Sequence, residues 1–354
     1  TDGKISKTMA ESRTVPAEKN GRIKHANVSI FVPHVGCPNQ CSFCNQRKIS
    51  GAEQAPTPQQ VREVCQKAAE LRKGKLHDTQ LAFFGGSFTA IERGYMLSLL
   101  EAAKPFVWED GFAGIRISTR PDAINEEILT ILKEYHVNAI ELGVQSMNDR
   151  VLLANKRGHT AQDVVRAARL IRDFQVELGL QMMTGLYQST WQDDVDTAKA
   201  IAALHPKTVR IYPTITLEGT DLAAFYQQGL YQPMSLEDSV KLCSDLLEFF
   251  EEQDIQVIRL GLHAQESLEQ GYLAGPYHPA FRELCEGRIY LKKALLQISQ
   301  FPEKTPLTIY VNPKELSKMA GQSRCNLNYL KQRNPIKIKP DDSLEAFCVR
   351  VESV

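Results

Sequence analysis

The stretch VSIFVPHVGCPNQCSFCNQ (residues 28–46) joins a short apolar run to three closely spaced cysteines. The run at 28–32 is rich in β-branched and aromatic residues, which predicts a strand. Cys37, Cys41 and Cys44 follow it, with three and then two residues between them. A loop that follows a strand lies at its carboxyl end, where barrel-type α/β folds place their chemistry. The stretch therefore predicts both the start of a sheet and the position of a site on it.

Similar apolar runs recur along the chain and alternate with longer amphipathic segments. Further strands are predicted at 80–85, 114–119, 139–144, 177–183 and 209–214, with a seventh at 255–262. Strand and helix repeated six times imply parallel pairing with helices packed outside the sheet. The runs are continuously apolar, as expected for strands that are covered on both faces. The sequence predicts an α/β fold, an incomplete (β/α)6-type barrel that is open on one side.

The composition is that of an ordinary globular protein. The 354 residues include 42 Lys or Arg and 42 Asp or Glu, so the formal net charge is zero. This balance argues against purely electrostatic nucleic-acid binding, although a local basic patch is compatible with it. Without an apolar run of about 18 residues or an apolar leader, we expect a cytoplasmic protein with no membrane span. In the cytosol, its eight cysteines are expected to be thiols or metal ligands rather than disulfides.

The spacing of the three cysteines lets their thiolates converge on one centre, and two kinds of metal centre match it. Zinc takes four ligands, and His34 would complete a Cys3His set. A [4Fe–4S] cluster also normally takes four thiolates, so three leave one iron open to an outside ligand. The position after the first strand of a repeating β/α chain favours the cluster, with His34 nearby or structural. Three unconnected structural cysteines are the remaining interpretation.

The pattern CxxxCxxC, with Phe43 directly before the last cysteine, resembles that of the radical S-adenosylmethionine (SAM) enzymes. The resemblance implies a [4Fe–4S] cluster on Cys37, Cys41 and Cys44, whose open iron is chelated by the amino and carboxylate groups of SAM. It also implies reductive cleavage of SAM to methionine and a 5′-deoxyadenosyl radical, which abstracts hydrogen from a substrate. An electron donor such as flavodoxin or ferredoxin is then required.

Four later segments resemble, in order and approximate spacing, those of the Elongator catalytic-subunit family, a radical SAM group that modifies tRNA wobble uridines. They are STRPD (118–122), ELGVQSMNDRVLLANKRGHT (141–160), MMTGLY (182–187) and RIYPT (210–214), and FFGGSF (83–88) resembles the glycine turn of the superfamily. The resemblance implies SAM contacts from Phe43, Gly85, Gly86, Ser87, Ser118, Gln145, Arg157 and Tyr212. Gln145 is expected to bind the ribose and Arg157 the carboxylate, a task suited to a planar guanidinium.

Three features depart from the family pattern. Ser87 and Ser118 stand where relatives often have glutamate, although a hydroxyl can still hydrogen-bond an ammonium or a ribose. About ninety residues follow IRLGLHAQ (258–265), which leaves no room for the acetyltransferase domain of Elongator catalytic subunits. Complete carboxymethyl-type wobble modification is therefore not part of the prediction.

The chain divides into four predicted parts. They are a flexible tail at 1–26, a radical SAM partial barrel at 27–265, a helical connection at 266–304 and a small basic α+β domain at 305–354. In the last part, a helix, the turn GQSR (321–324) and a second helix resemble the KH module, although Arg324 replaces the second glycine of its GxxG turn. Lys318, Arg324 and Lys331 are then candidate RNA contacts, and a solvated charged face is the alternative.

Three functions remain open on the sequence. The preferred one is a radical SAM enzyme that modifies tRNA or another RNA. The second is a radical SAM enzyme that acts on a small molecule or a peptide, and the third is a zinc-stabilised RNA-binding protein without catalysis.

Two features within the family-like segments have structural interpretations. Thr160 and Asp163 predict a capping box next to His159, and Met182 and Met183 predict core packing.

Overall fold

The computed structural model describes residues 26–33, 37, 40–45, 54–72, 74–107, 110–263 and 266–354. The predicted N-terminal tail, except for Ala26, and the candidate ligand His34 lie outside these residues. Within them, no helix is both long and apolar enough to span a bilayer.

A seven-stranded parallel sheet forms the larger part of the structure. The strands as far as residue 274 are β1 (Ala26–Val32), β2 (Thr79–Gly85), β3 (Gly114–Thr119), β4 (Val137–Gln145), β5 (Glu177–Thr184), β6 (Thr208–Pro213), β7 (Thr216–Leu217), β8 (Gln256–Leu260) and β9 (Tyr272–Ala274). The sheet has the order β1–β2–β3–β4–β5–β6–β8, while β7 and β9 pair separately. Because β1 and β8 are its two edges, the barrel is incomplete, which confirms the predicted fold and its seventh strand.

Helices connect the strands of this sheet, as parallel pairing requires, and two further helices follow its last strand, β8. They are α1 (Pro58–Leu71), α2 (Arg93–Ala103), α3 (Glu126–Glu134), α4 (Asp149–Ala154), α5 (Ala161–Asp173), α6 (Trp191–Ala202), α7 (Asp221–Gln227), α8 (Leu236–Glu252), α9 (Glu266–Gly271) and α10 (Phe281–Ile298). Capping boxes at Thr57, Thr160 and Thr190 start three of them, which confirms the predicted pair of Thr160 and Asp163.

The core follows from the continuous apolar runs of the strands. Leu81, Ile117, Ile140, Leu142 and Ile211 are fully buried, because helices cover one face of the sheet and the barrel interior lies on the other. Burying each such side chain contributes about 1.5–3 kcal/mol. The polar residues that follow the strands are therefore held by a rigid frame.

The C-terminal part is a second, smaller α+β unit. It comprises β10 (Leu307–Val311), α11 (Leu316–Ala320), α12 (Cys325–Leu330), β11 (Ile336–Pro340) and β12 (Arg350–Ser353), in the predicted order. Its sheet has the order β11–β10–β12, with β10 parallel to β11 and antiparallel to β12. Helix α10 packs into both cores, with Phe281 and Cys285 in the larger and Tyr290 and Ala294 in the smaller.

Candidate functional site

A cavity of about 710 Å³ opens where the parallel strands end. Its walls bring together residues from the cysteine loop and from the ends of β2, β3, β4 and β6. Ten of the eleven predicted cluster and SAM residues line it, namely Cys37, Cys41, Phe43, Cys44, Gly85, Gly86, Ser118, Gln145, Arg157 and Tyr212. Residues more than 170 positions apart in the chain thus face one space.

The cysteine loop is anchored by Asn155, which the sequence analysis did not single out. Ser42 Oγ donates to Asn155 Oδ1 at 2.8 Å, and the Ser42 amide donates to the Asn155 carbonyl at 3.2 Å. Asn155 Nδ2 in turn donates to the carbonyls of Val151 and Tyr187 at 2.8 and 2.9 Å. Since Asn155 is fully buried, this amide fixes the loop between Cys41 and Cys44 against α4.

Arg157 lies directly behind the cysteines. Its Nη1 donates to Cys41 Sγ at 3.1 Å and its Nη2 donates to the Gly143 carbonyl at 2.6 Å. The side chain is only 7 % exposed, its Nε has no hydrogen-bond partner, and no carboxylate within the described residues pairs with it. A buried cation without an anionic partner is costly, which indicates that this position is built for an anion.

Arg120 is a second buried guanidinium on the cavity wall that the sequence analysis did not select. Its Nε and Nη2 donate to the two carboxylate oxygens of Asp122, both at 2.9 Å. Its Nη1 is buried and has no partner within the described residues. Its charge helps to lower the pKa of Cys37, although burial and Cys41 raise that pKa more strongly. The motif STRPD was the signal, but nothing in it distinguished a wall residue from a turn.

Gln145 has a backbone conformation that residues other than glycine rarely adopt. Its φ is +66°, and it lies where the register between β4 and β5 shifts. Its Oε1 accepts a hydrogen bond from Gln181 Nε2 at 3.3 Å, and the residue is 4 % exposed. Such conformations cost about 1–3 kcal/mol and cluster at functional sites.

The glycine turn after β2 has a structural cause. Gly85 has a φ of +118°, and a Cβ there would lie 2.8 Å from the Val32 carbonyl oxygen, which also accepts from the Gly86 amide at 2.9 Å. The glycine at position 85 thus allows the turn to approach strand β1 closely, and it also lines the cavity. The buried hydroxyl of Ser87 hydrogen-bonds Thr119 Oγ1 and accepts from the Arg120 amide, and Ser87 is the one predicted SAM contact that does not line the cavity.

The floor of the cavity carries an ion-pair network inside the barrel. Glu141 accepts hydrogen bonds from Arg210 Nη2 at 2.8 Å and from Arg116 Nη1 at 3.2 Å, and Arg210 Nε lies 2.6 Å from its other carboxylate oxygen as an ion pair. Arg116 also pairs with Glu177 at 2.6 Å. Burial is the largest single effect on the pKa of Arg210 and lowers it, but the charge of Glu141 together with the interactions with Tyr212 outweighs burial, so the net direction is upward. Glu141 and Arg210 thus give the floor fixed charges, and Tyr212 adds a hydroxyl to the same lining.

The opposite wall of the cavity is apolar. Ile215, Leu217 and Leu268 form a small separate cluster with Leu262 packed against it. The antiparallel pair of β7 and β9 holds this cluster next to the end of β6. The cavity therefore has a thiol end, a charged floor and an apolar wall.

Two family models match the chain, the Radical SAM superfamily at residues 31–201 and the Radical_SAM C-terminal domain at residues 206–291. The chain belongs to the radical SAM superfamily. The resemblance of the CxxxCxxC pattern to the radical SAM enzymes is thereby confirmed. Membership of this superfamily implies an enzyme, and its members typically bind a [4Fe–4S] cluster and SAM.

Curated proteins of related sequence match parts of this chain. An uncharacterized protein of Methanocaldococcus jannaschii is 27% identical over 237 residues, which cover 66% of this chain and 68% of that protein. A tRNA uridine(34) acetyltransferase of the same organism is 31% identical over 131 residues, 36% of this chain and 24% of that protein. The match thus spans about a quarter of that relative's length.

Among solved structures, archaeal Elp3 of Methanocaldococcus infernus, with residues 1–46 deleted, matches with a TM-score of 0.58 and 21% identity. The match covers 77% of this chain and 63% of that chain, and it shows a shared fold. The predicted resemblance to the Elongator catalytic-subunit family is confirmed for the radical SAM region.

The donor set at the thiol end fits the cluster that this superfamily holds. Burial, and then the neighbouring thiols Cys41 and Cys37, raise the pKa of Cys44 to about 12. Thiols in such a setting ionise on binding a metal rather than in solvent. In the described residues, no three side chains of His, Cys, Asp or Glu lie close enough together to hold a metal.

The three predicted RNA contacts lie in the C-terminal domain, and each has different surroundings. Lys318 pairs with Glu286 at 3.0 Å and with Glu315 at 2.8 Å, so its charge is neutralised within the fold. Arg324 is exposed and has a left-handed φ of +61° at the start of α12. Lys331 is exposed after α12 and lines a different groove.

Proposed function

We propose that this chain is an enzyme that cleaves SAM reductively and uses the resulting radical to modify an RNA, with tRNA as the favoured class. The observation that carries the proposal is that three thiols, Gln145 and Arg157 line one cavity at the carboxyl edge of the sheet. Three thiols match a [4Fe–4S] cluster with one open iron, whereas a structural zinc site would need a fourth ligand.

Cys37, Cys41 and Cys44 would hold the cluster. When bound, the reduced cluster supplies one electron to the sulfonium of SAM, which splits into methionine and a 5′-deoxyadenosyl radical. Arg157 would meet the carboxylate of SAM, because it is a buried cation that lacks a carboxylate partner in the described residues. Gln145, held in a strained conformation, would present its amide to the ribose.

The remaining walls would place the substrate and exclude water. The cavity of about 710 Å³ is within the 300–1,000 Å³ usual for small-molecule sites, so it can take SAM and part of a second molecule. The apolar wall of Ile215, Leu217 and Leu268 keeps solvent from a reactive radical. The charged floor at Glu141 and Arg210 offers both acceptors and donors for the edge of a nucleobase.

RNA is favoured as the substrate class by the relative named tRNA uridine(34) acetyltransferase. The match covers only the radical SAM region of that enzyme, so the proposal includes radical chemistry and leaves acetyl transfer out. A one-electron carrier such as flavodoxin or ferredoxin would reduce the cluster.

The test is anaerobic reconstitution with iron and sulfide, followed by assay of 5′-deoxyadenosine with dithionite as reductant. We expect about four irons per chain and 5′-deoxyadenosine from the wild type, and neither from the Cys41→Ala variant. Cys348→Ala, which removes an exposed cysteine outside the cavity, is the matched control and should behave as wild type. Full iron content after loss of Cys41 would contradict the proposal.

The RNA half is tested separately by incubating the loaded enzyme with total tRNA and analysing its nucleosides by mass spectrometry. A SAM-dependent mass change in one nucleoside supports tRNA as substrate. If 5′-deoxyadenosine forms, but tRNA does not stimulate its formation and is not modified, the substrate would instead be a small molecule or a peptide.

A further inference from the structure

A second groove, of about 700 Å³, lies on the C-terminal domain where the loop before β10 meets the loop before β11. Four of its wall residues are cations, Lys304, Lys331, Arg333 and Lys337. The remaining walls are Pro306, Leu307, Gln332, Asn334, Pro335, Ile336 and Val354. All four cations are exposed.

These four cations form no ion pair with any residue in the part of the chain that the structure describes. Exposed arginines elsewhere do form such pairs, as with Arg93 and Glu127 at 2.8 Å and Arg166 and Asp163 at 2.7 Å. Clustering four like charges raises the free energy of the folded state unless anions neutralise them. The arrangement therefore calls for an anionic partner.

The groove is held by hydrogen bonds between its two loops. Asn334, which is 1 % exposed, donates through Nδ2 to the carbonyls of Pro302 and Thr305 at 2.9 and 3.1 Å. The Lys304 amide donates to the Arg333 carbonyl at 3.0 Å. The backbone that carries the cations is thus fixed before any partner binds, which lowers the entropy cost of binding.

The charge continues along the edge of the small sheet. On strand β11, which is an edge strand, Lys337 and Lys339 are both exposed and project to the same side, because side chains alternate. Residues 304–354 contain nine Lys or Arg and five Asp or Glu, although the whole chain is neutral. Tyr329, 55 % exposed and two residues before Lys331, adds an aromatic face of the kind on which bases stack.

We propose that this groove, lined by Lys304, Lys331, Arg333 and Lys337, binds the phosphate backbone of the RNA substrate. The inference rests on the proposed function and adds the surface that holds the RNA. A fixed row of unpaired cations displaces counterions from a polyanion, and that release drives binding. The groove, rather than the GQSR turn, is then the RNA-binding surface, because Lys318 is neutralised and Gly321 packs against Cys325 and Asn326.

The experiment measures filter binding of labelled total tRNA to the reconstituted full-length protein over a series of salt concentrations. The test variant is Lys331→Glu with Lys337→Glu. The matched control is Lys67→Glu with Lys207→Glu, which changes the net charge equally at exposed positions on the barrel. We expect the test variant to bind at least about tenfold more weakly, with a log–log salt slope smaller by about 1.5, since each phosphate contact contributes about 0.7–0.9.

The other outcomes separate the groove from the proposed function. If the wild-type protein retains no tRNA at low salt, both the proposal that RNA is the substrate and the groove proposal are overturned. Wild type and test variant that bind tRNA equally overturn the groove proposal alone. Equal RNA binding with slower reduction by an acidic flavodoxin assigns the groove to a protein partner. Loss of binding in Arg324→Glu, but not in the test variant, assigns RNA binding to the GQSR turn. Thermal unfolding of each variant shows that it is folded.

Discussion

Arg157 Nη1 donates a hydrogen bond to Cys41 Sγ at 3.1 Å, across 116 positions of sequence. This contact joins the residue expected to bind the SAM carboxylate to one of the thiols expected to hold the cluster. A guanidinium in this position can meet a thiolate and a carboxylate at once, because its donors point in several directions of one plane.

Replacing Arg157 by glutamine should weaken SAM binding about 10- to 100-fold, because hydrogen bonds to a charged group contribute about 1.5–3 kcal/mol. Arg157→Lys keeps the charge but loses the planar fork, so we expect an intermediate loss. Equilibrium dialysis of SAM against the reconstituted protein measures both. Arg166→Gln, an exposed arginine on the neighbouring helix, is the control, and equal affinity of Arg157→Gln and control would contradict the assignment.

Asn155→Ala should destabilise the fold by about 2–4 kcal/mol and lower iron retention, because it leaves a buried hydroxyl and two buried carbonyls without their partner. Ser42→Ala removes one hydroxyl from the same contact and should cost about 1 kcal/mol. Urea unfolding gives the free energies, and iron analysis after desalting gives the retention. Identical iron retention in both variants and wild type would show that the loop needs no anchor.

Gly85→Ala should destabilise the fold by about 2 kcal/mol or more, because a Cβ at a φ of +118° would also meet the Val32 carbonyl at 2.8 Å. Gly74→Ala is the matched control, with a φ of +81° and no atom within 4 Å of the added Cβ. It should cost only the backbone term of about 1 kcal/mol. The two free energies of unfolding, measured in urea, should therefore differ, and equal values would refute the role of the contact.

Stability should fall on mild acidification because of His159. Burial, and then the charge of Arg157, lower its pKa from 6.5 to about 4, Arg120 acts in the same direction, and Asp122 and the Val144 carbonyl act against them. The unfolded state then binds a proton that the folded state excludes. The stabilisation by neutral His159 is complete above about pH 6.5 and declines as the pH falls towards 4.

Between pH 7 and pH 5 this single group should cost about 2 kcal/mol of unfolding free energy. His159→Gln, which carries no titratable ring, should show a correspondingly smaller change over the same interval. Urea unfolding of both proteins at the two pH values is the measurement. An equal change in wild type and variant would assign the acid sensitivity to other groups.

The sequence was sufficient for the sheet and for most of the cavity wall. Seven apolar runs predicted seven strands, since a strand buried on both faces must be apolar along its whole length. The carboxyl ends of parallel strands share one edge, so side chains at these ends are expected to meet, and the family resemblance assigned Gln145 and Tyr212 to one site. The trio of cysteines required only its own spacing.

The missed residues share a physical cause. Asn155 and Arg120 matter through what they touch, and their partners lie in distant segments or on a turn whose direction no local pattern specifies. The resemblance implied a SAM contact from Ser87, and only the tertiary structure shows that its hydroxyl hydrogen-bonds Thr119. Lys318 was counted as a free charge, but α10 brings Glu286 beside it.

By itself, the amino-acid sequence determined the half-barrel through its periodicity and the superfamily through the resemblance of CxxxCxxC, and it predicted a thiol ligand set from the spacing of the cysteines. Only the tertiary structure decided which cations remain unpaired. Arg157 and the groove cations lack carboxylate partners among the described residues, whereas Arg116, Arg210 and Lys318 have them. The reason is that charge neutralisation depends on distances of a few ångströms between segments far apart in sequence.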